Sequence, residues 1–243
     1  QSLPISITSL GKTGIDLQIL ALSSGDISAS AQLQFDHPTI SDNNGFISVT
    51  ANAYDLPVGD IVIPTDFSSI QLAIDIVPSN VEKTILVEPG EYFENIVLKG
   101  LNNVTIKSQS GPVQTIINGG GNGMVIEAVN NVGNITIEGF TFTEGKGGAL
   151  DFETGLSTGV TLRNLIVTGN HVQGNNGRNA IVKVAPRNAI IENVVIADNE
   201  NTYGEDIFDD SNAALLVRGS PNDYGNAKII NTTIVNNSNS IGL

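Results

Sequence analysis

The chain has 243 residues and a formal net charge of −14, with 11 Lys and Arg against 25 Asp and Glu. Contact with a nucleic-acid backbone or an anionic membrane requires clustered Lys and Arg, so neither partner is expected. Cysteine is absent, which excludes disulfides and thiolate chemistry and fits a secreted protein better than a cytosolic one. No apolar run approaches the roughly 20 residues that span a bilayer, so no membrane span is expected.

Residues 1–60 alternate apolar and polar residues in four stretches that are separated by Gly, Asp and Asn. The stretches are "PISITSL", "IDLQILALS", "ISASAQLQFD" and "FISVTANAYD". Alternation bounded by turn residues predicts β-strands. Four strands are too few for a complete sandwich, so we expect either an appendage or strands that pair with a neighbouring molecule. Residues 61–243 are expected to form the main domain.

A short amphipathic helix is predicted at about residues 68–77. The apolar residues of "IQLAIDIV", which begins at Ile70, have the i, i+3, i+4, i+7 spacing of one helix face. Asp66 or Ser68 is the predicted N-cap, and Pro78 ends the helix. One helix at this place would cover the open end of a solenoid.

One short pattern recurs along the second half of the chain. Its copies are "ITIEGFTFT", "VTLRNLIVTGN", "AIIENVVIADN" and "AKIINTTIVNN". Aligned on Gly139, Asn164, Asn193 and Asn231, they are 25, 29 and 38 residues apart. A constant strand motif with variable spacing predicts strands that stack in register while one loop per repeat changes length.

A second family of strands fits the same repeats. Its members are "GMVIE", "ALDFE", "AIVKV" and "AALLV". No helical pattern lies between the two families, which excludes βαβ units. The sequence therefore predicts an all-β fold, a right-handed parallel β-helix of about six rungs with a short N-terminal capping helix and an N-terminal β-strand segment.

Alignment of the copies places residues of one kind in columns. Stacked Asn side chains can hydrogen-bond at the strand spacing of about 4.8 Å, so we expect two structural ladders. Their members are Asn164, Asn193 and Asn231, and Asn170, Asn199 and Asn237. A third column, Lys107, Glu138, Arg163 and Glu192, alternates in charge, and opposite charges on neighbouring rungs are expected to pair.

The entry to the repeats resembles a known superfamily. The segments "SSIQLAID", "TILVEPGEYFENIVLKG" and "VTIKSQSGPVQTIING" are similar to the start of secreted right-handed parallel β-helix proteins of the pectin-lyase-like superfamily, of the bacterial extracellular repeat type. The resemblance covers about residues 64–243 and implies this fold and a secreted protein. It does not imply one activity, because the superfamily holds lyases, hydrolases, esterases and non-catalytic adhesins.

Candidate catalytic residues follow from what a uronate lyase needs. It requires a calcium ion or another acid that stabilises the substrate carboxylate, and a Lys or Arg base that removes the α-proton. The candidate bases are Arg163, Lys183 and Arg187, and the candidate acids are Asp151 and Glu153. The loop "ENTYGEDIFDD" is a candidate Ca²⁺ site because carboxylates are the ligands that Ca²⁺ prefers. Its candidate ligands are Glu205, Asp206, Asp209 and Asp210, and no other cofactor is expected.

We expect a structural or adhesive extracellular subunit rather than an enzyme. The last copy of the repeat is followed by no helical capping pattern, so its end belongs to a longer protein, is covered by residues 1–60, or contacts another molecule. Contact between copies would give a head-to-tail filament or surface assembly. The alternative is a secreted lyase, glycoside hydrolase or carbohydrate-binding module whose partner is an extracellular polysaccharide. Aromatic platforms for sugars are not expected, since Trp is absent and Tyr occurs only four times.

Overall fold

The chain divides into two compact units, residues 1–56 and 57–243. The computed structural model describes residues 5–11, 14–19, 25–33, 45–53, 56–79, 81–130, 132–153, 157–173, 180–185, 187–202, 213–218 and 225–238. The first unit contains two antiparallel hairpins. They are β1 (Ile5–Gly11) with β2 (Gly14–Ile19), and β3 (Gly25–Leu33) with β4 (Gly45–Ala53).

The second unit is built from parallel strands that recur in the same order along the chain. The first set is β5 (Ile61–Ile63), β6 (Lys83–Val87), β9 (Asn102–Ser108), β12 (Gly133–Glu138), β15 (Thr161–Thr168), β18 (Ile190–Ala197) and β21 (Lys228–Ile230). The second set is β7 (Gly90–Phe93), β10 (Thr115–Asn118), β13 (Thr141–Thr143) and β22 (Thr233–Val235). In the two turns between β13 and β22, the C-terminal halves of the long strands β15 and β18 take the same place. The third set is β8 (Ile96–Lys99), β11 (Ile126–Val129), β14 (Leu150–Phe152), β17 (Ala180–Val184) and β20 (Ala213–Val217).

Each strand pairs in parallel with the equivalent strand of a neighbouring turn, so the chain winds as a parallel β-helix. A short fourth face pairs β16 (His171–Gln173) with β19 (Glu200–Thr202). Within the described ranges there are five complete turns, with partial turns at β5 and at β21 and β22. The predicted all-β parallel β-helix is confirmed.

The repeat register read from the sequence is the register of the strands. Ile137 pairs with Leu162, Leu162 with Ile191, and Ile191 with Ile229. The first three of these side chains are at most 1% exposed, so this column forms part of a continuous interior. Fully burying each such side chain contributes about 1.5–3 kcal/mol, so this column of large aliphatic residues stabilises the coil along its length.

The corners of the coil require backbone of positive φ. At the first corner the φ angles of Gly139, Asn164, Asn193 and Asn231 are 84°, 53°, 57° and 47°. The next corner uses Glu144, Gly169, Asp198 and Asn236, with φ between 54° and 65°. Gly, Asn and Asp tolerate the left-handed region better than other residues, which explains why they occupy all of these corner positions except that of Glu144.

The N-terminal end of the coil is covered by α1 (Ile70–Ile76), which buries Ile70, Ala73 and Ile74. The predicted N-caps Asp66 and Ser68 were wrong. Ser69 is the cap, because its backbone is extended and its Oγ accepts a hydrogen bond from the Leu72 N–H at 3.1 Å.

A carboxylate from the first turn completes this cap. The oxygens of Glu94 accept hydrogen bonds from the backbone N–H groups of Ile70 and Gln71, each at 2.9 Å. These N–H groups have no partner inside the helix, and the positive end of the helix dipole favours an anion there. Glu94 therefore ties the helix to the coil that it covers.

Replacing Glu94 with Ala is expected to lower the free energy of unfolding by about 2 kcal/mol, because two helix N–H groups lose a charged acceptor. Urea denaturation measures the change. Glu82→Ala, at an exposed position just before β6, is the control and should have an effect below about 0.5 kcal/mol. Equal effects of the two substitutions would contradict this role of Glu94.

Candidate functional site

A buried ladder of asparagine side chains runs along the second corner. Asn170 and Asn199 are 0% and 2% exposed, and Asn237 continues their column. The Oδ1 of Asn199 accepts hydrogen bonds from the backbone N–H of Asn170 at 3.0 Å and from its Nδ2 at 2.9 Å. The Oδ1 of Asn237 does the same for Asn199, at 3.1 Å and 2.8 Å.

The amide nitrogens of this ladder point to carbonyls of the preceding turn. The Nδ2 of Asn170 donates to the Phe142 carbonyl at 3.0 Å, and that of Asn199 donates to the Val167 carbonyl at 2.9 Å. Gly145 begins the column, since its N–H donates to the Asn170 Oδ1 at 2.9 Å. A Cβ at Gly145 would overlap the Gly148 carbonyl oxygen, so a side chain does not fit there.

A second asparagine column lies on the surface. The Nδ2 of Asn193 donates to the Oδ1 of Asn164 at 2.7 Å, and Asn231 continues the column in the same backbone conformation. A further pair of stacked asparagines was not predicted from the sequence. The Nδ2 of Asn134 donates a hydrogen bond to the Oδ1 of Asn103 at 2.9 Å. The signal for this pair was present, because "NNVTI" and "GNITI" align around these two asparagines.

The candidate base Arg163 belongs to the column of alternating charge. Its Nε lies 2.8 Å from the Oε2 of Glu192, and Lys107 Nζ lies 3.4 Å from the Oε1 of Glu138. Beside this column runs a groove of about 470 Å³, whose lining includes these residues' neighbours Asn164, Asn193 and Val195. The groove therefore offers amide groups next to an apolar surface, along a row of paired charges.

The candidate base Lys183 lies on a different sheet, next to the candidate acid Asp151. The Lys183 Nζ is 2.6 Å from the Asp151 Oδ2, and the two side chains are 14% and 6% exposed. The Asp151 Oδ1 accepts a hydrogen bond from the Glu153 N–H at 3.0 Å. An ammonium that donates to a carboxylate at this distance is engaged by its partner and not by a bound substrate, so this pair joins two turns of the coil.

A simple alignment of the two strand segments places Asp151 one residue away from its true partner, Lys183. Aligning "ALDFE" and "AIVKV" by their first residues sets Asp151 beside Val182, whereas β14 and β17 pair Asp151 with Lys183. Arg187 follows β17, where its carbonyl oxygen accepts a hydrogen bond from the Gly159 N–H at 2.8 Å. Arg163 belongs to the first set of strands and Lys183 to the third. The candidate bases therefore do not lie together in one site.

Two further titratable features lie elsewhere. The Nδ1 of His171 is 3.2 Å from the Oε2 of Glu200, and a pocket of about 300 Å³ lies beside this histidine. Burial, and then the charges of Glu88 and Glu94, raise the pKa of Tyr92 above its usual value.

The candidate calcium ligands Glu205, Asp206, Asp209 and Asp210 lie outside the described residues, and their role stays a prediction. In the part of the chain that the structure describes, no three His, Asp or Glu residues gather as a metal site would require. The one described helix is too short to cross a membrane.

Comparisons with protein-family models, with curated proteins and with solved structures find no match for this chain.

Asn199→Ala is expected to lower the free energy of unfolding by about 2–4 kcal/mol, because it removes the acceptor of the buried Asn170 N–H and the donor to the Val167 carbonyl. Asn193→Gly is the matched control on the exposed ladder, where glycine keeps the positive φ. Its effect should stay within about 0.5 kcal/mol. Denaturant unfolding measures the free energy of unfolding of both variants. An equal decrease for both would show that burial does not distinguish the two ladders.

Proposed function

We propose that this chain is an extracellular structural or adhesive β-helix subunit that associates with copies of itself through the ends of its coil. The observation that carries the proposal is the use of polar groups between turns. The buried asparagine ladder, Arg163 with Glu192, and Lys183 with Asp151 each join one turn to the next. Side chains committed to such pairing suit a scaffold, in which each repeat is stabilised by its neighbours.

Secretion is part of the proposal and has two supports in the sequence. The entry segment resembles that of secreted pectin-lyase-like β-helix proteins, and the chain has no cysteine. A surface with net charge −14 also keeps subunits soluble until they meet a specific contact.

Both ends of the described coil carry apolar surface for a second copy. In β21 and β22, Ile229, Ile230 and Val235 are 41%, 42% and 45% exposed. On α1, Leu72 and Ile76 lie four residues apart on one helix face and are only partly buried. Contact between these two unlike surfaces is heterologous, and a heterologous contact that does not close repeats from copy to copy.

The double substitution of Ile230 and Val235 by Lys is expected to abolish association, because it places two charges in the apolar contact while leaving the inward column that contains Ile229 unchanged. Sedimentation velocity over a range of concentrations measures this, and the unsubstituted chain should form larger species as concentration rises. Val113→Lys is the control, since Val113 is 80% exposed in the loop before β10 and away from both surfaces.

Two outcomes contradict end-to-end association. One is a single species of monomer mass at every concentration, and the other is equal association of the end variant and the Val113→Lys control. Electron microscopy of associated material adds an independent reading, because a heterologous contact predicts filaments and not closed pairs.

A second candidate function, a secreted carbohydrate-active enzyme or binding module, is favoured by the groove beside the charged column. Its volume of about 470 Å³ and its amide groups suit a linear polymer with hydroxyl groups. A uronate lyase would release unsaturated products from pectate, alginate or a glycosaminoglycan, with or without Ca²⁺. Turnover that Arg163→Ala abolishes, in a variant that stays folded, would favour this candidate over the structural role.

A further inference from the structure

The contact between Lys183 and Asp151 differs from the other ion pairs among the described residues of the coil. The Nζ–Oδ2 distance is 2.6 Å, and both side chains are largely withdrawn from water. The residues are direct partners in neighbouring parallel strands, so the backbone pairing of β14 and β17 fixes their separation. An amine and a carboxyl group held this close, in this fixed relation, have the proximity that intramolecular reactions need.

We propose that Lys183 and Asp151 form an intramolecular isopeptide bond, which joins two turns of the β-helix covalently. The product is an amide between the Lys183 Nζ and the Asp151 Cγ. It replaces two buried charges, whose removal from water is costly, with one neutral group of similar size.

The reaction needs no external reagent. A proton passes from the ammonium of Lys183 to the carboxylate of Asp151, which gives a neutral amine and a carboxylic acid. The amine lone pair attacks Cγ, the C–N bond forms, and the π electrons move to Oδ1. A second proton leaves Nζ for the Oδ2 hydroxyl, the C–Oδ2 bond breaks, water departs, and the carbonyl at Oδ1 is restored.

One further contact supports this assignment of the two oxygens. The Glu153 N–H donates a hydrogen bond to Oδ1 at 3.0 Å, while the lysine approaches on the Oδ2 side. A fixed N–H donor at Oδ1 stabilises the negative charge that develops there during attack. Burial limits access of bulk water, which would otherwise favour the separated ions.

The coil contains its own matched control. Lys107 and Glu138 are also direct partners in neighbouring parallel strands, and they too form a lysine–carboxylate pair. Their contact is longer, at 3.4 Å, and their side chains are 47% and 20% exposed. We expect this pair to stay an ordinary ion pair, so burial and distance are the variables that separate the two sites.

Intact mass spectrometry of the folded full-length chain tests the proposal. The bonded chain is expected to be lighter than its sequence mass by one water molecule. Lys183→Arg keeps the positive charge but removes the amine, so this variant should have its full sequence mass and a lower unfolding temperature. A full sequence mass for the unsubstituted chain overturns the proposal, whatever the stability of the variant.

Peptide mapping locates the bond. Trypsin cannot cut after an acylated lysine, so residues 179–187 should stay in one piece and remain joined to the peptide of residues 147–163 that contains Asp151. Cleavage after Lys107 should be normal. Release of residues 179–183 as a free peptide, or loss of water located at another pair, would contradict the assignment to Lys183 and Asp151.

Discussion

The buried asparagine ladder is the interaction on which the stack depends, because it supplies hydrogen bonds where strand pairing stops. At the second corner the chain leaves one sheet before it enters the next, and its backbone groups face the interior. The buried N–H of Asn170 would lose its acceptor there without the Asn199 side chain, and the carbonyls of Phe142 and Val167 accept further hydrogen bonds from the ladder amides. An unpaired buried backbone group costs about 1–3 kcal/mol, so a polar side chain in the interior is stabilising here.

The same constraint explains the residue that precedes each ladder position. Turning into the ladder requires positive φ, and Gly169 and Asp198 provide it directly before Asn170 and Asn199. At Gly145, where the column begins, the backbone approaches so closely that no Cβ fits. The residue of positive φ at the corner and the ladder asparagine that follows it are therefore required together. A substitution at either position is expected to disturb the pairing of the turns on both sides.

The fold was predictable from sequence because its information is periodic. Columns such as Ile137 and Leu162 repeat with every turn, and each repeat strengthens the alignment that sets the register. The partner of Lys183 was not predictable to one residue, since short strands such as "AIVKV" and "AALLV" are apolar at nearly every position, and no alternation fixes their alignment. Helix capping by Glu94 was also missed, because a contact across 24 residues leaves no local pattern.

A coil of this kind restricts where chemistry can be placed. An outward side chain on a strand has partners one turn above and below, and in this chain Arg163 and Lys183 are held by such partners. A catalytic group on these columns would have to leave its ion pair before it could act, and the partner charge would then lose its counterion. Connections between strands carry no such constraint, and the spacings of 25, 29 and 38 residues show that their length varies freely while the register does not. New binding surfaces can therefore arise in the connections of a β-helix without changing the columns that hold it together.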